Sequence, residues 1–119
     1  MRSLALRGEL SSEDLVGLLS SIGVGGQGVA EYTLGSVRVV ILIGDKYMMR
    51  TNDRFGVVVV AAADGSRQRI DLGSAGGAQG LLGVKWGAGE SIERELVDAL
   101  VQLLESRSLT YELGEPGSD

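Results

Sequence analysis

The chain has 119 residues, 44% of them hydrophobic and 23% charged, and its formal net charge is −5. That composition belongs to a single globular domain and not to a disordered chain, and the acidic balance argues against nucleic acid or an anionic membrane, which are held through clustered Lys and Arg. The absence of cysteine and histidine removes disulfides, thiolate chemistry, the usual zinc, copper and non-haem iron ligands, and the commonest general base near neutral pH.

Met1 to Arg7 offers no apolar stretch of signal-peptide length, and no run approaches the roughly 20 apolar residues of a membrane-spanning helix. A cytoplasmic location is therefore expected. Leu4 and Leu6 alternate with Ala5 and Arg7, which predicts a short strand ending near Glu9. Ser11 reads as a helix N-cap with Asp14 as its capping-box partner, and Leu10 is placed to staple against Leu15. Leu15, Leu18, Leu19 and Ile22 follow at helical spacing, and Gly23 suits the left-handed position that stops a helix, so the first helix is expected over Ser12 to Ile22.

Gly23 to Gly28 reads as a glycine-rich connector. Its glycines follow the helix instead of leading into it, so the helix dipole has the wrong sign there for a phosphate. A strand is expected at Val29 to Leu34, with Gly35 as the turn.

Val37 to Leu72 is the stretch that organises the fold, and it reads as a β-meander. Its expected parts are a strand at Val37 to Ile43, a turn at Gly44-Asp45, a strand at Lys46 to Thr51, a turn at Asn52-Asp53, a strand at Phe55 to Ala63, a turn at Asp64-Gly65, and a strand at Ser66 to Leu72. A two-residue Asp64-Gly65 turn pairs Ala61 with Gln68, Val59 with Ile70 and Val57 with Leu72. The opposite face then carries Val58, Val60 and Ala62 beside Arg67, Arg69 and Asp71. The runs Val57 to Ala63 and Val39 to Ile43 are apolar on both sides, so both faces of the sheet call for cover. The register around Gly44-Asp45 stays open, and Lys46, Arg50, Asp53 and Arg54 read as solvated strand ends.

Beyond Leu72, Gly73 to Gly80 is rich in glycine, and Leu81 to Gly89 leads to a helix capped by Ser91 that runs to about Glu105, with Ile92, Leu96, Ala99, Leu100 and Leu103 as its core stripe. An edge strand is expected within Ser108 to Leu113, which closes a single domain over 1–113, and 114–119 reads as a flexible polar tail. Strand, glycine-rich loop and capped helix in that order is the arrangement that cradles an anion. Gly76, Gly77, Lys85, Trp86 and Ser91 would wall such a ligand site. The specific motifs fail: no Gly-Lys-Ser/Thr is present, and Gly87-Ala88-Gly89 lacks the third glycine of a dinucleotide loop. The plainer reading folds Leu81, Leu82, Val84 and Trp86 onto the body of the domain. The carboxylates are scattered, and Tyr32, Tyr47 and Tyr111 have no histidine or cysteine to work with.

Lys46-Tyr47-Met48-Met49-Arg50, Asp64-Gly65-Ser66, Ser74-Ala75-Gly76-Gly77, Gly80-Leu81-Leu82 and Trp86-Gly87-Ala88-Gly89-Glu90 together resemble a domain-of-unknown-function family of small prokaryotic proteins, domain of unknown function 6054, over about Val37 to Leu104. The resemblance implies a compact α+β domain with two helices and an antiparallel sheet. It implies no activity, so it assigns no role to any residue.

The expected architecture is α+β, an antiparallel β-meander sheet in the order β-α-β4/5-α with two helices packed on one face. Two helices leave the second face uncovered, and Val58, Val60 and Ala62 would then form an oligomer interface. The function expected is a non-catalytic binding or self-assembly module, with a small-molecule or anion site at the 73–91 loop as the alternative. An enzyme is the least favoured reading, because the usual nucleophile and base types are missing. No cofactor is called for.

Overall fold

The structure is a computed structural model that describes residues 2–49, 52–76 and 86–114. Its elements in chain order are β1 (Arg2–Arg7), α1 (Ser12–Ser21), β2 (Gly25–Leu34), β3 (Val37–Met48), β4 (Asp53–Ala63), β5 (Arg67–Gly76), α2 (Trp86–Ser106) and β6 (Tyr111–Leu113). The fold is α+β, with a six-stranded sheet in the order β2-β3-β4-β5-β1-β6 and every neighbouring pair antiparallel. The meander therefore runs through four sequential strands. The N-terminal strand then lies between β5 and β6, so both ends of the chain join one edge of the sheet.

Burial on β3, β4 and β5 alternates with the period of two that a strand imposes. Val40, Leu42, Phe55, Val57, Val59, Ala61, Ile70 and Leu72 are buried, together with Leu4 and Leu6 of β1. They form one cluster with Leu15, Leu18 and Leu19 of α1 and with Ile92, Leu96, Leu100 and Leu104 of α2. The spacing of four residues along α2 keeps its contribution on a single stripe.

The first helix has the ends that its sequence predicts. Ser11 accepts a hydrogen bond from the Asp14 N–H, and the Asp14 carboxylate accepts one from the Ser11 N–H, a complete capping box. At the other end Gly23 adopts φ +88° while the Gly23 N–H donates to the Ser20 carbonyl and the Val24 N–H to the Leu19 carbonyl, a Schellman closure.

Four expectations, for the glycine-rich connector, the meander and the last helix, are corrected. β3 does not turn at Gly44-Asp45 but continues to Met48, and Gly44 sits in the ladder opposite Val57. The glycine serves close approach instead: a Cβ there would lie 2.6 Å from Val24 Cγ1 and 3.0 Å from the Gly25 carbonyl oxygen. The hairpin comes later, with Met48 opposite Asp53 and Asn52 in the left-handed region at φ 55°.

The connector Gly23 to Gly28 is also partly strand, since β2 begins at Gly25. The register against β3 shifts between Gly25 and Gly28, and Gly26 has φ +60°. An extra residue with a left-handed glycine is a β-bulge, and the bulge faces the bare backbone of Gly44.

At the Asp64 hairpin the observed pairs are Ala61 with Ile70, Val59 with Leu72 and Val57 with Ser74, two residues removed from the expected ones. The loop is Gly65-Ser66, with Gly65 at φ +101° and the Asp64 N–H donating to the Arg67 carbonyl. Asp64 is held just outside the loop because its carboxylate accepts from the N–H groups of Ser66 and Arg67, an Asx-type closure. A slip of two residues preserves which side chains share a face, so the two faces keep their expected composition.

Ser91 is not a cap. α2 begins at Trp86, which puts Ser91 inside the helix.

Candidate functional site

Val58, Val60 and Ala62 occupy alternate positions of β4, so they project from the face opposite the buried Val57, Val59 and Ala61. The ladder sets Ile43, Ile41 and Val39 of β3 directly across from them, and sets Ala30 and Tyr32 of β2 across from Ile41 and Val39. The result is a continuous apolar field over three strands. Val58, Val60, Ala62, Ile41 and Val39 are half-buried by one another, while Ile43 and Tyr32 are 56% and 51% exposed.

Charge lies along the margins of this field, and part of it is paired within the chain. Arg54 Nη1 meets Asp45 Oδ1 at 3.1 Å, and Arg69 Nε donates to both carboxylate oxygens of Asp71 at 3.2 Å. Arg7 and Arg67 stand opposite each other at the far end of β1 and β5. Beside them Ala5, Val37, Ala62, Arg67 and Arg69 line a shallow depression of about 320 Å³. An apolar centre with a polar border is the pattern of a protein contact surface.

The carboxylates whose acidity is most altered serve the fold. Asp14 falls to about 2 because Arg107 donates to both of its oxygens, at 2.9 and 2.8 Å. Asp64 falls to about 2 because the N–H groups of Ser66 and Arg67 donate to it. One is a helix cap tied to the end of α2 and the other a turn, and neither faces a candidate reactant. Among the described residues no group of three or more His, Cys, Asp or Glu could hold a metal ion, and no helix is long and apolar enough to cross a membrane.

Of the residues expected to wall a ligand at the glycine-rich loop, Gly77 and Lys85 lie outside the described residues. Gly76 ends β5 opposite Phe55, Trp86 opens α2, and Ser91 lies within that helix. One contact that joins β5 to α2 nearby is internal: the Ser74 N–H donates to Glu93 at 3.3 Å.

Two strand residues expected at solvated ends are interior instead. Lys46 projects toward the helices with its side chain 13% exposed, donates to the Ile22 carbonyl at the end of α1, and lies 3.3 Å from Glu95 of α2. A cation there complements the negative end of the helix dipole. Asp53 is buried at the start of β4. Sequence reading misses Lys46 because it assumes a turn at Gly44; an extended β3 gives Lys46 the same parity as Val40 and Leu42, which is the only sequence signal for its inward course. The exposure of β2 is missed as well, since alternation marks Val29 to Leu34 as a strand without saying that it stands at the sheet's edge.

The sequence profile of a family described as "Family of unknown function (DUF6054)" matches residues 17–104. The match starts in α1, well before the Val37 at which the sequence resemblance begins. No curated protein matches the chain, and no solved structure does.

Proposed function

Because the chain belongs to DUF6054, a family of unknown function, we propose its role from its own surface: a non-catalytic assembly module that binds a second copy of itself through the outer face of the sheet. The observation that carries this reading is the apolar field of Tyr32, Ile41, Ile43, Val58, Val60 and Ala62. In this arrangement both helices cover the inner face alone. Soluble monomers rarely leave a contiguous apolar patch beyond a few hundred Å² in water, and two sheets stack face to face at about 10 Å through side chains of this kind. The internal pairing of Arg54 with Asp45 and of Arg69 with Asp71 reduces the charge that those parts of the margin would bring into the contact.

Size-exclusion chromatography with light scattering at tens of micromolar tests the reading. The wild-type chain is expected as a dimer or larger, and Ile43→Lys with Val60→Lys is expected to lower the mass while circular dichroism stays unchanged. A monomeric wild type, or a variant of undiminished mass, ends the proposal.

A further inference from the structure

Two arginines meet at one corner of the outer face. Arg7 of β1 stands directly opposite Arg67 of β5. Their neighbours Leu6 and Gln68 are buried on the inner side, so strand parity turns both arginines outward. The Arg7 N–H donates away from β5, to the Thr110 carbonyl, and it is the next residue, Gly8, that donates to Ser66. Arg7 and Arg67 are therefore a non-hydrogen-bonded pair, the ladder position at which facing side chains come closest, with Cβ atoms about 4.5–5.5 Å apart. Like charges set across a ladder in this way are unfavourable. Among the described residues neither guanidinium is held in an ion pair. Asp64 is engaged by the Ser66 and Arg67 N–H groups and the Ser66 hydroxyl, Asp71 takes three bonds from Arg69, and Glu112 stands on β6 opposite Ala5. In a chain of net charge −5 such a doublet does not follow from general basicity.

The doublet borders open space. Arg67 and Arg69 line the depression of about 320 Å³ together with Ala5, Ala62 and Val37. Ala5 and Ala62 are the ladder neighbours of Arg69 on its two sides, and their short side chains leave the room that longer ones would fill. Small-molecule sites run from about 300 to 1,000 Å³ and combine an apolar lining with a few placed polar groups, so the depression has the size of a compact ligand.

We infer that this corner binds a small phosphate monoester with an apolar body, the phosphate held between Arg7 and Arg67 and the body lying over Ala5 and Ala62. Charge and oxygen count select phosphate over carboxylate. A phosphate monoester carries about −1.5 to −2 at neutral pH and three acceptor oxygens, enough for both guanidiniums to engage it, whereas a single guanidinium already saturates a carboxylate through one bidentate pair. The bound anion also removes the repulsion between the two arginines. Arg69 is committed to Asp71 and serves as a wall. The alanines favour an ester group that is flat and apolar, such as one aromatic ring. The site shares Ala62 with the apolar field but does not depend on the face contact proposed above.

Isothermal titration calorimetry of the full chain with phenyl phosphate, inorganic phosphate and benzoate tests the site, at low salt because exposed charges are screened as salt rises. Phenyl phosphate is expected to bind most tightly of the three. Arg7→Gln and Arg67→Gln are each expected to weaken it roughly tenfold, the scale of one lost charged hydrogen bond. Arg54→Gln, at the other end of the same face, is expected to leave it unchanged. Ala5→Leu fills the depression and is expected to weaken phenyl phosphate more than inorganic phosphate. No binding of phenyl phosphate by the wild-type chain, equal affinity of the Arg7→Gln, Arg67→Gln and Arg54→Gln proteins, or benzoate or inorganic phosphate binding as tightly as phenyl phosphate overturns the site. Mass by light scattering on the same samples reads the face contact separately, so either proposal can fail while the other stands.

Discussion

The side-chain amide of Gln68 completes the backbone of Leu10: Oε1 accepts from the Leu10 N–H at 2.9 Å and Nε2 donates to the Leu10 carbonyl at 3.1 Å. Both groups are buried, and Gln68 is 2% exposed. Leu10 sits between β1 and α1, where neither ladder nor helix supplies its backbone with partners. A residue 58 positions away in sequence therefore satisfies a donor and an acceptor that would otherwise be stranded in the core.

Gln68→Ala strands both groups and is expected to cost about 2 kcal/mol, the usual penalty for buried polar groups left unpaired. Gln68→Glu is expected to be worse at neutral pH, because a carboxylate cannot donate to the Leu10 carbonyl and its charge is buried. That second deficit should shrink on acidification, as the protonated acid recovers a donor. Urea denaturation at pH 7 and pH 5 measures both, and an alanine variant within 0.5 kcal/mol of wild type by the same scale of penalties would contradict the role.

Asp14 gives stability a defined acid limb. Its carboxyl, held at about 2 in the folded chain by Arg107 against an ordinary 3.8, contributes above the unfolded value and loses that contribution as pH falls toward 2. With the Arg107 side chain 45% exposed, solvent screening reduces the contribution to about 1 kcal/mol. Asp64 titrates over the same range for a different reason, its turn N–H groups. Unfolding midpoints between pH 6 and pH 2.5 are expected to fall less steeply for Asp14→Asn than for wild type, and parallel curves would remove Asp14 as a cause.

Two glycines are expected to respond to alanine with opposite sign. Gly44→Ala drives a Cβ to within 3.0 Å of the Gly25 carbonyl oxygen and 2.6 Å of Val24. Because one of those contacts is backbone, relief requires the β2 bulge to shift, at about 2 kcal/mol. Gly17→Ala, inside α1 with nothing within 4 Å of its new Cβ, is expected to stabilise by about 0.5–1 kcal/mol through helix propensity and a less flexible unfolded chain. Thermal denaturation of the two variants checks the signs together.

Some of this architecture was already present in local patterns. The capping box of Ser11 and Asp14, the Gly23 stop, the alternation in Val57 to Ala63 and the stripe of α2 are each set by residues within one or two turns of each other, where propensity and periodicity act. The faces of the sheet survived even a two-residue error in register, because side-chain parity does not change with an even slip.

Contacts between distant segments decided the rest. Gly44 is ambiguous by itself, since a glycine suits a turn and a crowded strand equally, and only the approach of Val24 and Gly25 selects the strand. Lys46 looks like a surface residue until an unbroken β3 carries it to the end of α1. Whether Val29 to Leu34 is central or at the border is invisible in its own residues, because strand order is fixed by which partners the whole chain brings together.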